Sequence, residues 1–438
     1  MLSLFGSIIL TASVQYFNDT PKANLPVSLF AAISTPTLAL EPARSSFTPD
    51  LTAAEAVKTL LRDLKASGYS ELDQGVWLQT NSGALLAAHQ GTRPLPAASL
   101  TKLATTLAAL STWEPDFQVV TIATTYGKIV GNTLQGDLIV QGSGDPVFVW
   151  EEAIALANAL NRLGIQRVQG NLIVTGSFVM NFETDPQKSA NLLRRAFDAA
   201  NWDDEILQQY AKLPPETRKP QIAIAGATRY ELFIPGNSAS KELVRHSSLP
   251  LRQILKLMNV YSNNTIAEML ATSMGGHAVV VQKAASAAGI SPEQIRLING
   301  SGLGQQNQIS PQAAVAILIA LQNRARSLDL TLADLLPISD CKCGTIDIRH
   351  MPPGALVKTG TLSDVSALAG MIPTRDRGPI WFAIINRGEG NIEIFHNVQD
   401  RLLRSLNQKW GSPNALLTSS FSNRPWQDTN RDRLMLER

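Results

Sequence analysis

Apolar residues recur at intervals of three and four from Leu51 to Ala66, the spacing of one face of an amphipathic helix, and the run stops at Gly68. Two short apolar runs follow, residues 75–80 and 84–89, separated by Asn81-Ser82-Gly83, a pattern that predicts a hairpin. A long apolar helix is predicted from about Ser99 to Trp113. Towards the other end, residues 354–361, 366–372 and 379–387 read as three strands, and residues 392–406 as a helix with its apolar positions on one face. Helix and strands at the start, then strands and helix at the end, predict one antiparallel sheet assembled from both ends of the chain. The middle is then an insertion.

From about Glu114 to Arg245 the pattern is rich in strands and turns. Gly-Asp-Leu-Ile-Val at Gly136 and Gly-Asn-Leu-Ile-Val at Gly170 suggest two related hairpins, although two occurrences do not make a repeat array. The stretch from about Gly411 is polar and predicted to be mobile. At the N-terminus, Leu2 to Val14 form an apolar run, a second spans Leu25 to Leu40, and Thr37-Leu38-Ala39 resembles a signal cleavage site. No Lys or Arg precedes the first run. Export is expected, with cleavage and retention as a membrane anchor both open.

Composition narrows the function. Of 438 residues, 44% are hydrophobic and 17% charged, with a net charge of +2, which suits a large globular core and gives nucleic acid no basic surface to bind. Cys341 and Cys343 are expected to be two ordinary thiols near a turn, because one intervening residue closes a disulfide ring poorly and two ligands do not complete a zinc site. No His-Glu-x-x-His string supports a metal hydrolase, and no Gly-x-Ser-x-Gly elbow supports a histidine-based serine hydrolase. No metal or other cofactor is expected. His246 is read as a hydrogen-bonded structural residue, and Trp381 and Phe382 as core.

Three short motifs carry chemistry: Ser99-Leu100-Thr101-Lys102, Ser262-Asn263-Asn264 and Lys358-Thr359-Gly360. Ser99 at a helix start meets free N–H groups that favour developing negative charge. Lys102 lies one turn on, within reach of the serine hydroxyl. An amine accepts a proton only when neutral, and an ordinary lysine titrates near 10.4. Bringing it down by about 3 units requires burial or a second cation, for which Lys358 is a candidate. Each motif alone is weak. Ser238-Ala239-Ser240-Lys241 and Ser412-Pro413-Asn414 fit the same expressions, but the first lies in a polar loop and the second in the polar tail.

Together the three motifs resemble those of the serine acyl-transferases that include penicillin-binding proteins and β-lactamases. Longer strings at residues 93–110, 136–148, 246–270, 298–311 and 355–370 are similar to the D-alanyl-D-alanine carboxypeptidase/endopeptidases of the penicillin-binding protein 4 type. That resemblance covers about Gly75 to Arg387. It implies an α+β fold in which helices flank a five-stranded antiparallel sheet, with a β-rich inserted domain. The expected organisation is a signal or anchor segment (1–40), a transpeptidase-like catalytic domain (50–113 and 246–410), the insert (114–245) and the polar tail (411–438).

The resemblance also implies roles. Ser99 would attack the carbonyl of the penultimate D-alanine and Lys102 would take its proton. Ser262 would relay a proton to the leaving amine, and Asn264 would bind the substrate amide and Lys102. Lys358 would support binding and proton traffic. Thr359 and Thr361, two apart on a strand and expected to face the active site together, would hold the terminal carboxylate beside Gly360. The N–H groups of Ser99 and Thr361 would form the oxyanion hole. Peptidoglycan stem peptides are the implied substrates, and β-lactams the covalent inhibitors. Asn299-Gly300-Ser301-Gly302-Leu303-Gly304 departs from the family's Asp-Gly-Ser-Gly-Leu-Ser, which puts polar contacts in that loop in question. The alternatives are a β-lactamase or esterase, which would need machinery for fast deacylation, and a non-catalytic wall-binding module, which would be expected to lose Ser99 or Lys102.

Overall fold

The computed structural model describes residues 50–232, 240–341, 343–413 and 431–435. The N-terminal segment 1–40 and the loop carrying Ser238 lie outside the described residues.

Helix α1, Leu51–Ala66, begins at Asp50, whose carboxylate accepts the Ala53 N–H and satisfies one of the donors a helix start leaves free. It buries Ala53, Val57, Leu60 and Leu64, the stripe that the spacing predicts. The predicted hairpin follows as Gln74–Thr80 and Leu85–His89. Helix α2, Thr101–Leu110, is buried on all sides.

In the middle, six strands form a second sheet, ordered Thr228–Glu231, Leu172–Ser177, Leu138–Ser143, Val120–Thr125, Lys241–Ser247 and Asp432–Leu434. Three helices accompany it: α3 (Trp150–Arg162), α4 (Pro186–Phe197) and α5 (Asp204–Tyr210). The reading of this stretch as strands and turns leaves them out, although α3 buries Ala153, Ile154, Ala157 and Leu160 at helical spacing. Topology requires such connections, because Leu138–Ser143, Leu172–Ser177 and Thr228–Glu231 run parallel and parallel neighbours need a long crossover. The two Leu-Ile-Val runs are therefore adjacent parallel strands, Leu138 opposite Leu172, and not the related hairpins expected. Asp137 accepts both the N–H and the side-chain amide of Asn171, which explains an acidic residue paired with an amide just ahead of the two runs.

Helices α6 (Leu251–Tyr261), α7 (Asn264–Ser273), α8 (His277–Ala288) and α9 (Pro311–Arg326) complete the layer around α2. Strands Leu356–Leu362, Val365–Thr374 and Gly378–Arg387 then lead to α10, Ile392–Trp410. The first sheet is five-stranded and antiparallel, in the order Leu356–Leu362, Val365–Thr374, Gly378–Arg387, Gln74–Thr80, Leu85–His89. Both ends of the chain build it, as Val76 opposite Ile384 shows. Both faces are apolar. Val357, Leu368, Phe382 and Ile384 pack with α1 and α10, while Leu356, Ala367, Ala369 and Trp381 face α2 and α9. This is the α+β fold expected.

Two further expectations are overturned. Cys341 and Cys343 form a disulfide, their Cα atoms 5.2 Å apart and so inside the usual span despite the short spacing. The tail is not wholly free either. Asp432–Leu434 adds a strand to Lys241–Ser247, and Asp432 bonds the buried His246 at 2.9 Å. Among the described residues no helix is long and apolar enough to cross a membrane.

Candidate active site

Ser99 lies in a 3-10 turn, Ala98–Leu100, that runs directly into α2. The approach is fixed from outside: Leu95–Pro96 pairs with Gln308–Ile309, and the Ala97 N–H donates to Asn307 O at 2.9 Å. Ala98 adopts a φ of +46°, a conformation that costs a residue with a Cβ about 1–3 kcal/mol. Its neighbour explains how it is held. Any Cβ on Gly302 would fall 1.9 Å from Ala98 O, so only glycine permits that contact.

Lys102 is fully buried. Its Nζ lies 3.0 Å from Ser99 Oγ, 2.8 Å from Asn264 Oδ1 and 2.8 Å from Ser301 O. The last two oxygens only accept hydrogen bonds. A neutral amine serves them with its two N–H groups and turns its lone pair towards the remaining direction, where the Ser99 hydroxyl stands. Burial lowers the Lys102 pKa to about 7, with the charge of Glu268 opposing that shift. Burial, rather than a second cation, thus dominates.

Ser262 ends α6 with a φ of +54°, and Asn263 caps α7 by accepting the Ile266 N–H at 2.9 Å. This sharp change of direction lets Asn264 reach Lys102 while Ser262 Oγ accepts from Lys358 Nζ at 2.9 Å. Lys358 also donates to Thr359 O at 2.7 Å. Burial, and then the charge of Lys102, hold its pKa well below the ordinary lysine value.

Strand Leu356–Leu362 is the sheet edge next to Ser99. A Cβ on Gly360 would lie 2.9 Å from Ser99 N and 3.1 Å from Ala98 Cβ, so the missing side chain lets the strand approach Ser99. Alternation puts Lys358 and Gly360 on one face of this edge strand and Thr359 and Thr361 together on the other. Thr359 is buried, and its hydroxyl is 2.6 Å from that of Thr345, whereas Thr361 is exposed. The backbone offers the site something else. Val357 N–H points away from the sheet, donating to Pro337 O, so the same alternation turns the Thr361 N–H to the open edge.

The structure therefore joins Ser99, Lys102 and Asn264 in one network and Ser262 and Lys358 in a second. Several participants escape a motif search. Glu268 accepts the N–H groups of Gly300 and Ser301, at 3.1 and 3.0 Å. Its signal was its place four residues beyond Asn264, on the same face of α7. Asn299 accepts the Gly302 N–H at 2.8 Å and donates to Leu303 O at 2.7 Å. That loop is thus held by its own polar contacts. His246 and the core residues Trp381 and Phe382 are buried as expected.

The model of a family described as D-Ala-D-Ala carboxypeptidase 3 (S13) matches residues 49–214 and 216–408. D-alanyl-D-alanine carboxypeptidase DacB of Haemophilus influenzae is 23% identical over 393 residues, covering 68% of this chain and 81% of that protein. Carboxypeptidase DacB of Mycolicibacterium smegmatis is 24% identical over 355 residues, covering 69% and 73%. Among solved structures, the Bd0816 predatory endopeptidase of Bdellovibrio bacteriovorus matches with a TM-score of 0.69 at 21% identity, over 82% of this chain and 99% of that one. Penicillin binding protein 4 from Haemophilus influenzae gives 0.59 at 21% identity, over 81% and 99%. The two structural likenesses support the fold.

Proposed function

The chain belongs to the D-Ala-D-Ala carboxypeptidase 3 (S13) family of serine hydrolases, and we propose that Ser99 is its nucleophile and Lys102 its general base. The observation that carries this reading is the buried amine with two acceptor-only partners and a serine hydroxyl in its third direction. In the first half-reaction Ser99 Oγ attacks the carbonyl of the penultimate D-alanine as its proton passes to Lys102 Nζ. The oxyanion is received by the N–H groups of Ser99 and Thr361. As the oxyanion collapses and the C–N bond breaks, the proton that Lys102 accepted passes through Ser262, which Lys358 orients, to the leaving amine, and Lys102 is neutral again. Water next attacks the ester, Lys102 taking its proton, and Ser99 is released with its hydroxyl restored.

Because the acyl-enzyme is the same whether the leaving amine belongs to D-alanine or to a cross-linking diamino acid, endopeptidase action needs no second site. Thr361, at the open edge, is our candidate for contacting the terminal carboxylate, while the Thr359 hydroxyl is engaged by Thr345. A β-lactam supplies the same acyl carbonyl but holds its amine in a ring. Its adduct on Ser99 is therefore expected to persist. A peptidoglycan substrate places the enzyme outside the cytoplasmic membrane, after export or on an N-terminal anchor.

The deciding experiment is penicillin labelling followed by peptide mass mapping, with muropeptide digestion in parallel. One adduct on Ser99 and release of D-alanine are expected. An adduct on another serine, or full labelling of Ser99→Ala, would end the assignment.

A further inference from the structure

Three hydrogen bonds orient the Lys102 amine, and one partner, Ser301 O, belongs to a loop that lies outside the strands and helices themselves. We infer that Glu268 is a positioning residue for the base: by accepting the N–H groups of Gly300 and Ser301, it fixes the Ser301 carbonyl against Lys102 Nζ. This role rests on Lys102 being the base.

The geometry is specific. Glu268 Oε1 accepts from Ser301 N at 3.0 Å and Oε2 from Gly300 N at 3.1 Å, so both carboxylate oxygens are engaged by adjacent peptides. Thr105 of α2 grips the same loop from the other side, its hydroxyl donating to Gly300 O at 2.7 Å. The loop lies so close to α7 that a Cβ on Gly300 would be 2.5 Å from Ala271 Cβ. One helix therefore supplies two of the three directions around the amine: Asn264 directly, and Glu268 through the loop. Glu268 does not bond Ser99 or Lys102 itself, so it acts on the reaction through the Ser301 carbonyl.

Its charge has a second, separable consequence. The charged or titratable groups around Lys102 are Glu268 on α7 and Lys358 on the sheet edge. The 299–302 loop and the remainder of α2 carry none. On α6, Lys256 turns to Ala333 O and Leu336 O, and burial raises the pKa of Tyr261. Glu268 is the carboxylate that favours protonated Lys102. Removing its charge should let the base lose its proton at lower pH.

The test is the rate of acylation by a fluorescent penicillin across pH 5–10 for wild type, Glu268→Gln and Glu268→Asp, normalised by active-site titration. Wild type should show an acid limb near pH 7. In Glu268→Gln an amide donor meets a backbone N–H, so the maximal rate should fall about tenfold or more. Its acid limb should also move down by about half a pH unit or more. Glu268→Asp keeps the charge but loses reach, so its rate should fall while its limb stays in place. A Glu268→Gln enzyme within about threefold of wild type, or slowed with an unmoved limb, would overturn the inference. A wild-type profile without an acid limb would instead overturn Lys102 as the base.

Discussion

Two buried charged clusters in this molecule have opposite electrostatic outcomes. Around the second sheet, His246 lies 3.0 Å from Glu152 and 2.9 Å from Asp432, and Arg431 reaches the other oxygen of Glu152 at 2.6 Å. Burial acts to lower the His246 pKa, but the two carboxylates outweigh it and push the pKa up to about 10. Burial likewise acts to raise Glu152, and Arg431 and His246 hold it below its ordinary value. At the active site two lysines are equally buried, yet their direct partners are hydroxyls, an amide and carbonyls. Burial prevails there, and both lysines are lowered. Burial depresses a cation only where compensating carboxylates are too few or too distant. That difference in partners makes one cluster a fastening and the other a source of neutral amine.

The largest expected effect comes from removing the amine. Lys102→Met should reduce acylation by a penicillin about 10²- to 10⁴-fold, the usual contribution of a general base. The same change removes a group whose charged form burial disfavours but leaves Asn264 Oδ1 and Ser301 O without their donor, so the thermal midpoint should change little. Paired acylation and melting measurements check this. A large fall in stability would mean that Lys102 is a structural fastening like His246, and the contrast would collapse.

The second cluster should respond in the opposite way. Glu152→Gln leaves His246 and Arg431 under-compensated in a buried site, and breaking such a pair costs about 3–5 kcal/mol. Acylation of the folded variant should remain within about twofold of wild type, because Glu152 belongs to the second sheet's core and not to the Ser99 network. The pH dependence sharpens the point. His246 has a folded-state pKa raised to about 10, against about 6.5 unfolded. Its stabilisation is therefore complete below about pH 6.5 and disappears as pH rises through 10. Chemical denaturation along the alkaline limb should show this loss in wild type and less of it in Glu152→Gln. Equal slopes would show that Glu152 is not a principal source of the shift.

The two clusters also differ in how far the sequence revealed them. Ser99 and Lys102 are one helical turn apart, and the other two motifs are just as local, so the motifs could be picked out before any fold was known, while their proposed roles came from the family resemblance. The first sheet was legible because long apolar runs at both ends had no other way to bury two faces. Glu268 was not, because its partners Gly300 and Ser301 meet it only once α7 has packed against a loop 32 residues away. The tail strand was hidden for the same reason: Asp432 is polar by composition and becomes structural only when it meets His246, 186 residues distant. The helices of the middle were passed over rather than hidden: α3 buries Ala153, Ile154, Ala157 and Leu160 at helical spacing, and what the Leu-Ile-Val runs could not reveal is that their neighbours are parallel.

The smallest effect concerns the negative charge that the active site lacks. At the second sheet the carboxylates are built into the chain. At the active site, we propose, a further one arrives with the substrate, at the open edge of Leu356–Leu362. Thr361 is the exposed hydroxyl there, whereas the Thr359 hydroxyl is already engaged by Thr345. Thr361→Val removes that hydroxyl and keeps both the strand and its outward N–H. Loss of a charge-assisted hydrogen bond should cost about 1.5–3 kcal/mol, or roughly 10- to 150-fold in kcat/KM on a peptide ending in a free carboxylate. A thioester with the same acyl group but no carboxylate should lose much less, since its attack still uses Ser99, Lys102 and the backbone donors. Measuring both substrates on one variant separates the two contributions. Equal losses would mean that Thr361 shapes the site generally, and the missing counter-charge would have to be sought elsewhere.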